Sequence, residues 1–286
     1  MTFVLPNAQA SLHAAVHALM RDAADRAIMP RHRRLAVEDV REKCADELVT
    51  VADRESESIL AEGLNKILPK AAIVGEEAAD ADPALLDNLG SSLCWIIDPL
   101  DGTANFVAGN GPFGILVALA EHGTPIGGWI LDPRSGRFVA AFRGQGAFIN
   151  GEPVTARASG GDVPIAAISS LFARAPGREG IVDQLRSRFQ TVPIPRCAAE
   201  QYPAMMMGNS DIALFERTLP WDHAAGVLCL VEAGGVATRL DGAPYRVDDR
   251  KTGLIAAATP ALAIRFRECC NEAINGAGLL AVRSAQ

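Results

Sequence analysis

The sequence predicts a mixed chain, α+β over residues 1–157 and α/β over residues 158–286, and three observations carry that reading. Between residues 93 and 150 most apolar runs follow one another with only turn residues between them. That pattern gives antiparallel strands in a meander. Beyond residue 162 short apolar runs alternate with helical periodicities, as in a sheet with helices laid over it. Residues 158–162 between them are small and polar, which places a boundary there.

Bulk properties narrow the classes. A chain of 286 residues suits one large or two ordinary domains, and 49% hydrophobic with 21% charged residues is a globular composition. A net charge of −7 argues against nucleic acid as a partner, since that binding is driven by Lys and Arg on phosphates. Arg31-His32-Arg33-Arg34 is short and flanked by acidic residues, so it reads as solvated surface. There is no basic-then-apolar leader pattern and no apolar run of about 18 residues, so neither export nor membrane insertion is expected. The six cysteines lack C-x-x-C spacing, which fits reduced thiols in the cytoplasm, with Cys94 and Cys229 as small buried hydrophobes.

The elements follow in order. Leu12, Val16, Leu19 and Met20 recur at helical spacing over residues 8–27. His13 and His17 on that helix lack the carboxylate of a metal-binding helix motif and read as two exposed histidines. Residues 49–53 lead into a helix with Ile59, Leu60, Leu64, Ile67 and Leu68 inward, stopped by Pro69. A strand at 72–74 delivers Gly75-Glu76-Glu77, and residues 78–87 read as an acidic loop. Gly109 to Gly114 spells G-x-G-x-x-G, but Pro112 interrupts it and a strand follows, which excludes a dinucleotide loop. Strands at 115–120, 126–131, 137–142 and 147–150 complete the meander. In the second part strands are expected at 164–169, 191–194, 211–215, 236–240 and 254–258. Helices are expected there at 180–189, 198–207, 222–233 and 260–274.

The chemistry centres on Trp95-Ile96-Ile97-Asp98-Pro99-Leu100-Asp101-Gly102-Thr103. The apolar run from Leu93 is a buried strand, and Pro99 forces a turn that leaves Asp98 and Asp101 on its lip. Two close carboxylates repel unless a cation lies between them or one is protonated. Hard oxygen ligands suit Mg²⁺, and the N–H groups of Gly102 and Thr103 could take an anion. Each of these residues also has a purely structural role available: D-P-x-D-G favours turns, and Asp53 and Asp222 sit where helices are capped.

Four stretches in this order resemble the inositol monophosphatase family of Mg²⁺-dependent sugar phosphatases: residues 47–53, 73–77, 95–106 and 220–235. The resemblance implies a layered α-β-α-β-α sandwich, of the inositol monophosphatase and fructose-1,6-bisphosphatase type, with its site between the halves. It implies two Mg²⁺ ions, with room for a third, held by Glu76, Asp98, the Leu100 carbonyl, Asp101 and Asp222. Asp53, Glu76 and Thr103 would orient and deprotonate water. Asp101, Gly102, Thr103, Ala198, Glu216 and Asp222 would meet a small phosphorylated metabolite. A lithium-sensitive homodimer acting on inositol 1-phosphate is the expectation. Histidinol phosphate, fructose bisphosphate or adenosine bisphosphate are alternatives, as is a partner role in the transcription machinery. Glu47, Ala104 and Ala108 depart from the family pattern, and the segment before Trp221 is one residue short.

Overall fold

The computed structural model describes residues 6–44, 47–174 and 178–283. Helix α1 (Pro6–Ala23) buries Val16 and Met20. Its histidines are not the exposed pair expected from the sequence. His13 Nδ1 accepts the Trp129 indole N–H at 2.7 Å, and His17 stacks on Phe138 with ring centroids 3.9 Å apart. Their aromatic partners lie more than a hundred residues away, out of reach of local reasoning.

Strands β1 (Val40–Cys44) and β2 (Glu47–Thr50) pair antiparallel ahead of α2 (Val51–Ile67). Thr50 starts α2: its hydroxyl accepts the Ala52 N–H, and Asp53 answers by accepting the Thr50 N–H, a capping box. Leu60 and Leu64 of α2 are wholly buried, each contributing about 1.5–3 kcal/mol.

The larger sheet runs in chain order through β3 (Ala72–Gly75), β4 (Cys94–Asp101), β5 (Gly114–Glu121), β6 (Thr124–Asp132), β7 (Arg137–Phe142), β8 (Ala147–Ile149) and β9 (Glu152–Val154). β3 is parallel to β4 and all later neighbours are antiparallel, the meander expected. Two local readings fail. Residues 78–87 are not a loop: α3 (Glu76–Ala81) and a 3₁₀ segment (Pro83–Gly90) fill them. The Glu57 carboxylate, a tertiary partner, accepts the Glu77 and Ala78 N–H groups at 2.8 Å each and so caps α3. Nor does Pro99 end its strand. β4 continues to Asp101 with a register shift against β5 between Asp98 and Asp101, where proline has no N–H to give. Helix α4 (Thr103–Ala108) follows.

Asp211 ties down the connection to the second sheet, accepting from Ser159 N, Ser159 Oγ and Ile165 N. Beyond it come β10 (Ile165–Ile168), α5 (Ser170–Arg174), α6 (Glu179–Arg186), β11 (Gln190–Pro193), α7 (Ala198–Met207), β12 (Ile212–Phe215), α8 (Pro220–Glu232), β13 (Val236–Arg239), β14 (Leu254–Ala257) and α9 (Pro260–Arg283). Strand order is β11-β10-β12-β14-β13, with β10 parallel to both neighbours and β14 antiparallel to both of its own.

Alternation along β4 separates two cores. Trp95 and Ile97 join Val16, Met20, Leu60 and Leu64 beneath α1 and α2. Cys94 and Ile96 join Tyr202, Leu228 and Leu230 of α7 and α8, and through them Ile212, Leu214 and Ile255 of the smaller sheet. Helix α9 covers that sheet's far side through Phe266. The result is the layered α-β-α-β-α order. Among the described residues no helix is long and apolar enough to cross a membrane. Cys94, Cys197, Cys229, Cys269 and Cys270 are free thiols, all buried.

Candidate active site

The bulge at the end of β4 sets the site. Asp98 and Asp101 emerge from it buried, and Leu100 N donates to Asp98 Oδ1 at 3.1 Å. Beside β4, β3 ends at Gly75, where α3 begins with Glu76. Gly75 has no room for a side chain, because a Cβ there would lie 2.4 Å from the Glu57 carboxylate that caps α3. Pairing of Gly75 with Ile97 sets Glu76 beside the lip of β4.

Asp53 lies behind this lip. Its Oδ2 accepts the Thr50 N–H at 2.8 Å and the Thr50 hydroxyl at 2.6 Å. Thr103 Oγ1 lies 3.0 Å from Asp53 Oδ1 and 2.9 Å from the Leu100 carbonyl oxygen, and its single proton serves one of them at a time. The sequence reading set Asp53 and Thr103 in one role, and the fold brings them into contact across 50 residues. Gly102 precedes with φ of +83°, and a Cβ there would meet the Pro112 carbonyl at 2.8 Å.

The smaller sheet contributes two helix starts. Ala199 N in the first turn of α7 donates to Asp101 Oδ2 at 2.6 Å, and the Cys197 thiol and the Ala198 and Gly102 N–H groups also favour the ionised form of Asp101. Ala198 thus serves Asp101 through its backbone. Asp222 lies in the first turn of α8, and its charge acts on Glu76 and Asp98. The next residue, His223, is wholly buried. It accepts from the Tyr202 hydroxyl at Nδ1 (2.8 Å) and donates from Nε2 to the Arg217 carbonyl (3.1 Å). Burial holds its pKa down to about 3, so it is a neutral strut under the segment leading to Asp222.

The electrostatics are those of crowded acids. Burial first, then Asp222, Glu77 and Asp53, raise Glu76 to about 8 against the pull of Lys43. Asp98 is raised well above the usual carboxylate range by burial and by Glu76, Asp101 and Asp222. Burial raises Asp101 to about 6, its backbone donors opposing. Glu77 is raised to about 7, by burial first. Lys43 on β1 answers part of this charge, its Nζ 3.2 Å from Glu76 Oε1 and 2.7 Å from Glu77 Oε1. Burial opposes the ammonium form of Lys43, yet the two glutamates outweigh it and raise its pKa.

These residues fit a hard divalent cation by chemistry: anionic oxygens from three elements whose repulsion only a cation or protons can relieve. Among the described residues no three such side chains close on a single point as a finished metal cage in this conformation. Oxygens of Asp98, Asp101 and Glu76 are instead engaged by Leu100 N, Ala199 N and Lys43. Glu216, expected to meet substrate, is held by Arg178, whose Nη1 donates to its Oε2 at 2.5 Å.

Sequence reasoning missed Lys43, Glu57, Cys197 and Arg178. Glu57 had a signal, since it lies four residues beyond Asp53 on one face of α2. The other three reach the site through tertiary packing alone.

A layered α-β-α-β-α fold with hard carboxylate donors gathered between its sheets defines the metal-dependent sugar phosphatases as a class. Residues 8–274 match the inositol monophosphatase family, and the chain belongs to that family of phosphomonoesterases. It is 33% identical over 216 residues to a histidinol-phosphatase of Chlorobaculum parvum, covering 74% of this chain and 79% of the relative. It is 29% identical over 229 residues to an inositol-1-monophosphatase of Bacillus subtilis, covering 79% and 84%. Among solved structures, a Thermotoga maritima IMPase superposes with a TM-score of 0.76 at 25% identity, covering 94% of this chain and 99% of that one. The family is generally Mg²⁺-dependent and acts on small phosphorylated substrates.

Proposed function

We propose that this chain is a Mg²⁺-dependent phosphomonoesterase of small polyol phosphates, with inositol 1-phosphate its foremost substrate. The supporting observation is the convergence of Glu76, Asp98 and Asp101, each pushed toward protonation by burial, with the charge of Asp222 acting on Glu76 and Asp98, beside the Asp53–Thr103 contact. Glu76, Asp98, the Leu100 carbonyl, Asp101 and Asp222 would hold two Mg²⁺ ions, with a third at Glu76. When bound, Mg²⁺ supplies positive charge to the phosphoryl oxygens and acidifies water for attack. Thr103, donating to Asp53, keeps its oxygen lone pairs facing outward as acceptors for that water. Asp53 and Glu76 stand as proton acceptors. Thr103 N–H, in the first turn of α4, is left as a donor for phosphate, while the Gly102 N–H also favours ionised Asp101.

The reading extends to a homodimer of this chain, to the cytoplasm, where buried free thiols persist, and to inhibition by Li⁺ at a Mg²⁺ position. The deciding experiment is phosphate release by purified protein across a panel of monoesters, with and without chelator. Inositol 1-phosphate should lead, activity should vanish on chelation and return with Mg²⁺. Full activity after exhaustive chelation would sink the metal mechanism, and preference for histidinol phosphate would replace the polyol.

A further inference from the structure

Strands β11, β10 and β12 are parallel, with β10 in the middle, so all three end on the same side of the smaller sheet. The chain leaving β11 brings Ala199 N to Asp101, and the chain leaving β12 brings Asp222 to the acids. The segment that follows β10 leaves from that same end, the carboxyl ends of the strands, beyond which open sheets bind ligands. After β10 come α5 and then Arg178. The Arg178 guanidinium carbon sits 4.2 Å from the ring centroid of Phe172, itself buried, and Nη1 holds Glu216. Gly253 N fixes the Glu216 backbone by donating to its carbonyl at 2.9 Å. The two charged side chains remain 23% and 19% exposed, so the pair is anchored yet open to a ligand.

We propose that Arg178 and Glu216 form the wall against which the leaving group rests, and that Arg178 is a specificity-determining residue favouring an uncharged polyol. This inference rests on the phosphatase reading above. A lone carboxylate draws ammonium groups; paired with a guanidinium it presents no net charge. What remains is N–H donors beside a carboxylate acceptor, the complement of adjacent hydroxyls, each of which both donates and accepts. Beside the closed pair an amine or a second anion finds no uncompensated opposite charge, so neither gains the attraction that would offset its desolvation.

The test measures kcat/KM on inositol 1-phosphate, histidinol phosphate and fructose 1,6-bisphosphate, for the parent and for Arg178→Met, Arg178→Lys and Glu216→Gln. Arg178→Met should raise the histidinol-to-inositol ratio about tenfold, through KM more than kcat, by leaving Glu216 uncompensated. Arg178→Lys, which keeps the charge, should stay close to the parent ratio. Glu216→Gln should move the other way, raising the bisphosphate-to-inositol ratio, and serves as the second arm should Arg178→Met fold poorly. Ratios unmoved in folded variants of an active enzyme overturn the inference and leave the phosphatase reading standing. No phosphate release from any substrate by the parent overturns both.

Discussion

Two corners of the crevice hold equally hidden acids in opposite condition. Asp53 and Asp98 are each 1% exposed. Asp53 accepts from Thr50 N, Thr50 Oγ1 and Thr103 Oγ1, which oppose the upward push of burial on its pKa. Among the described residues Asp98 has only Leu100 N against burial and the charges of Glu76, Asp101 and Asp222. One corner is finished by the protein's own donors; the other keeps a repulsion that a cation or protons would relieve. Burial alone does not mark a metal-binding acid, whereas a shortage of donors does.

The sharpest test of that difference is Asp98→Asn. An amide supplies no charge, so kcat should fall by about 10⁴-fold or more, several kcal/mol of lost charge stabilisation. Calorimetry should show weakened Mg²⁺ binding, while the chelated variant melts at or above the parent temperature because a repelling charge is gone. Unchanged Mg²⁺ binding would break the contrast.

Thr103→Ala should lower kcat by about 10²–10³-fold with KM and Mg²⁺ dependence little changed, the range of positioned proton transfer. A variant that melts earlier but turns over at the parent rate would reduce Thr103 to a structural bond for Asp53.

Folding stability should differ in sign between the corners. Thr50→Ala removes the α2 cap and one of Asp53's donors, the Thr50 hydroxyl, and should cost about 0.5–2 kcal/mol in denaturant unfolding. For the crowded acids the sign follows from protonation. Glu76 at about 8 and Asp101 at about 6 lie above their ordinary values, so the unfolded chain gives up those protons first. Their contribution is fully present below about pH 4 and is lost as pH rises through the folded values. The chelated protein should melt earlier across that window, and Mg²⁺ should restore more at its alkaline end. An equal Mg²⁺ shift at both ends would argue against mutual repulsion as the cause.

At neutral pH the test that moves least falls on His223. Its folded value near 3 is depressed, so the unfolded chain takes the proton first. Stability from that source is complete above about pH 6.5 and is lost as pH falls toward 3. His223→Gln should flatten this acid-side loss relative to the parent, read as the difference between two melting series. Parallel curves would show that His223 does not titrate this way.

Much of this was legible in the residues. The meander needed only apolar runs and turn chemistry, while the helix cap read at Asp53 falls three residues earlier, at Thr50, with Asp53 closing a capping box. The acids at Glu76, Asp98, Asp101 and Asp222 stood out because each ends an apolar run or opens one. What escaped was set by distant contact. Pro99 obeyed its local rule by giving no N–H, but the strand absorbed the defect as a bulge rather than a turn. Residues 78–87 became helical because Glu57 reaches across to cap them. Lys43 left no local trace at all, since nothing in its neighbourhood indicates two glutamates more than thirty residues on.

Helix α8 carries a further consequence. A Cβ at Gly128 of β6 would meet the Ala225 carbonyl oxygen at 2.8 Å, and a Cβ at Gly226 would fall 2.0 Å from the Tyr202 ring. The helix is thus wedged between a strand and α7 with no clearance on either flank, and Asp222 rides at its tip. A single methyl group at either glycine forces a neighbour to shift, and a shift of the rod would be carried forward to Asp222 at its end. Inactivating mutations in this protein should therefore include ones a full helix turn or more from any acid, in molecules that still fold, because the working distance between the sheets is gauged by the absence of two side chains.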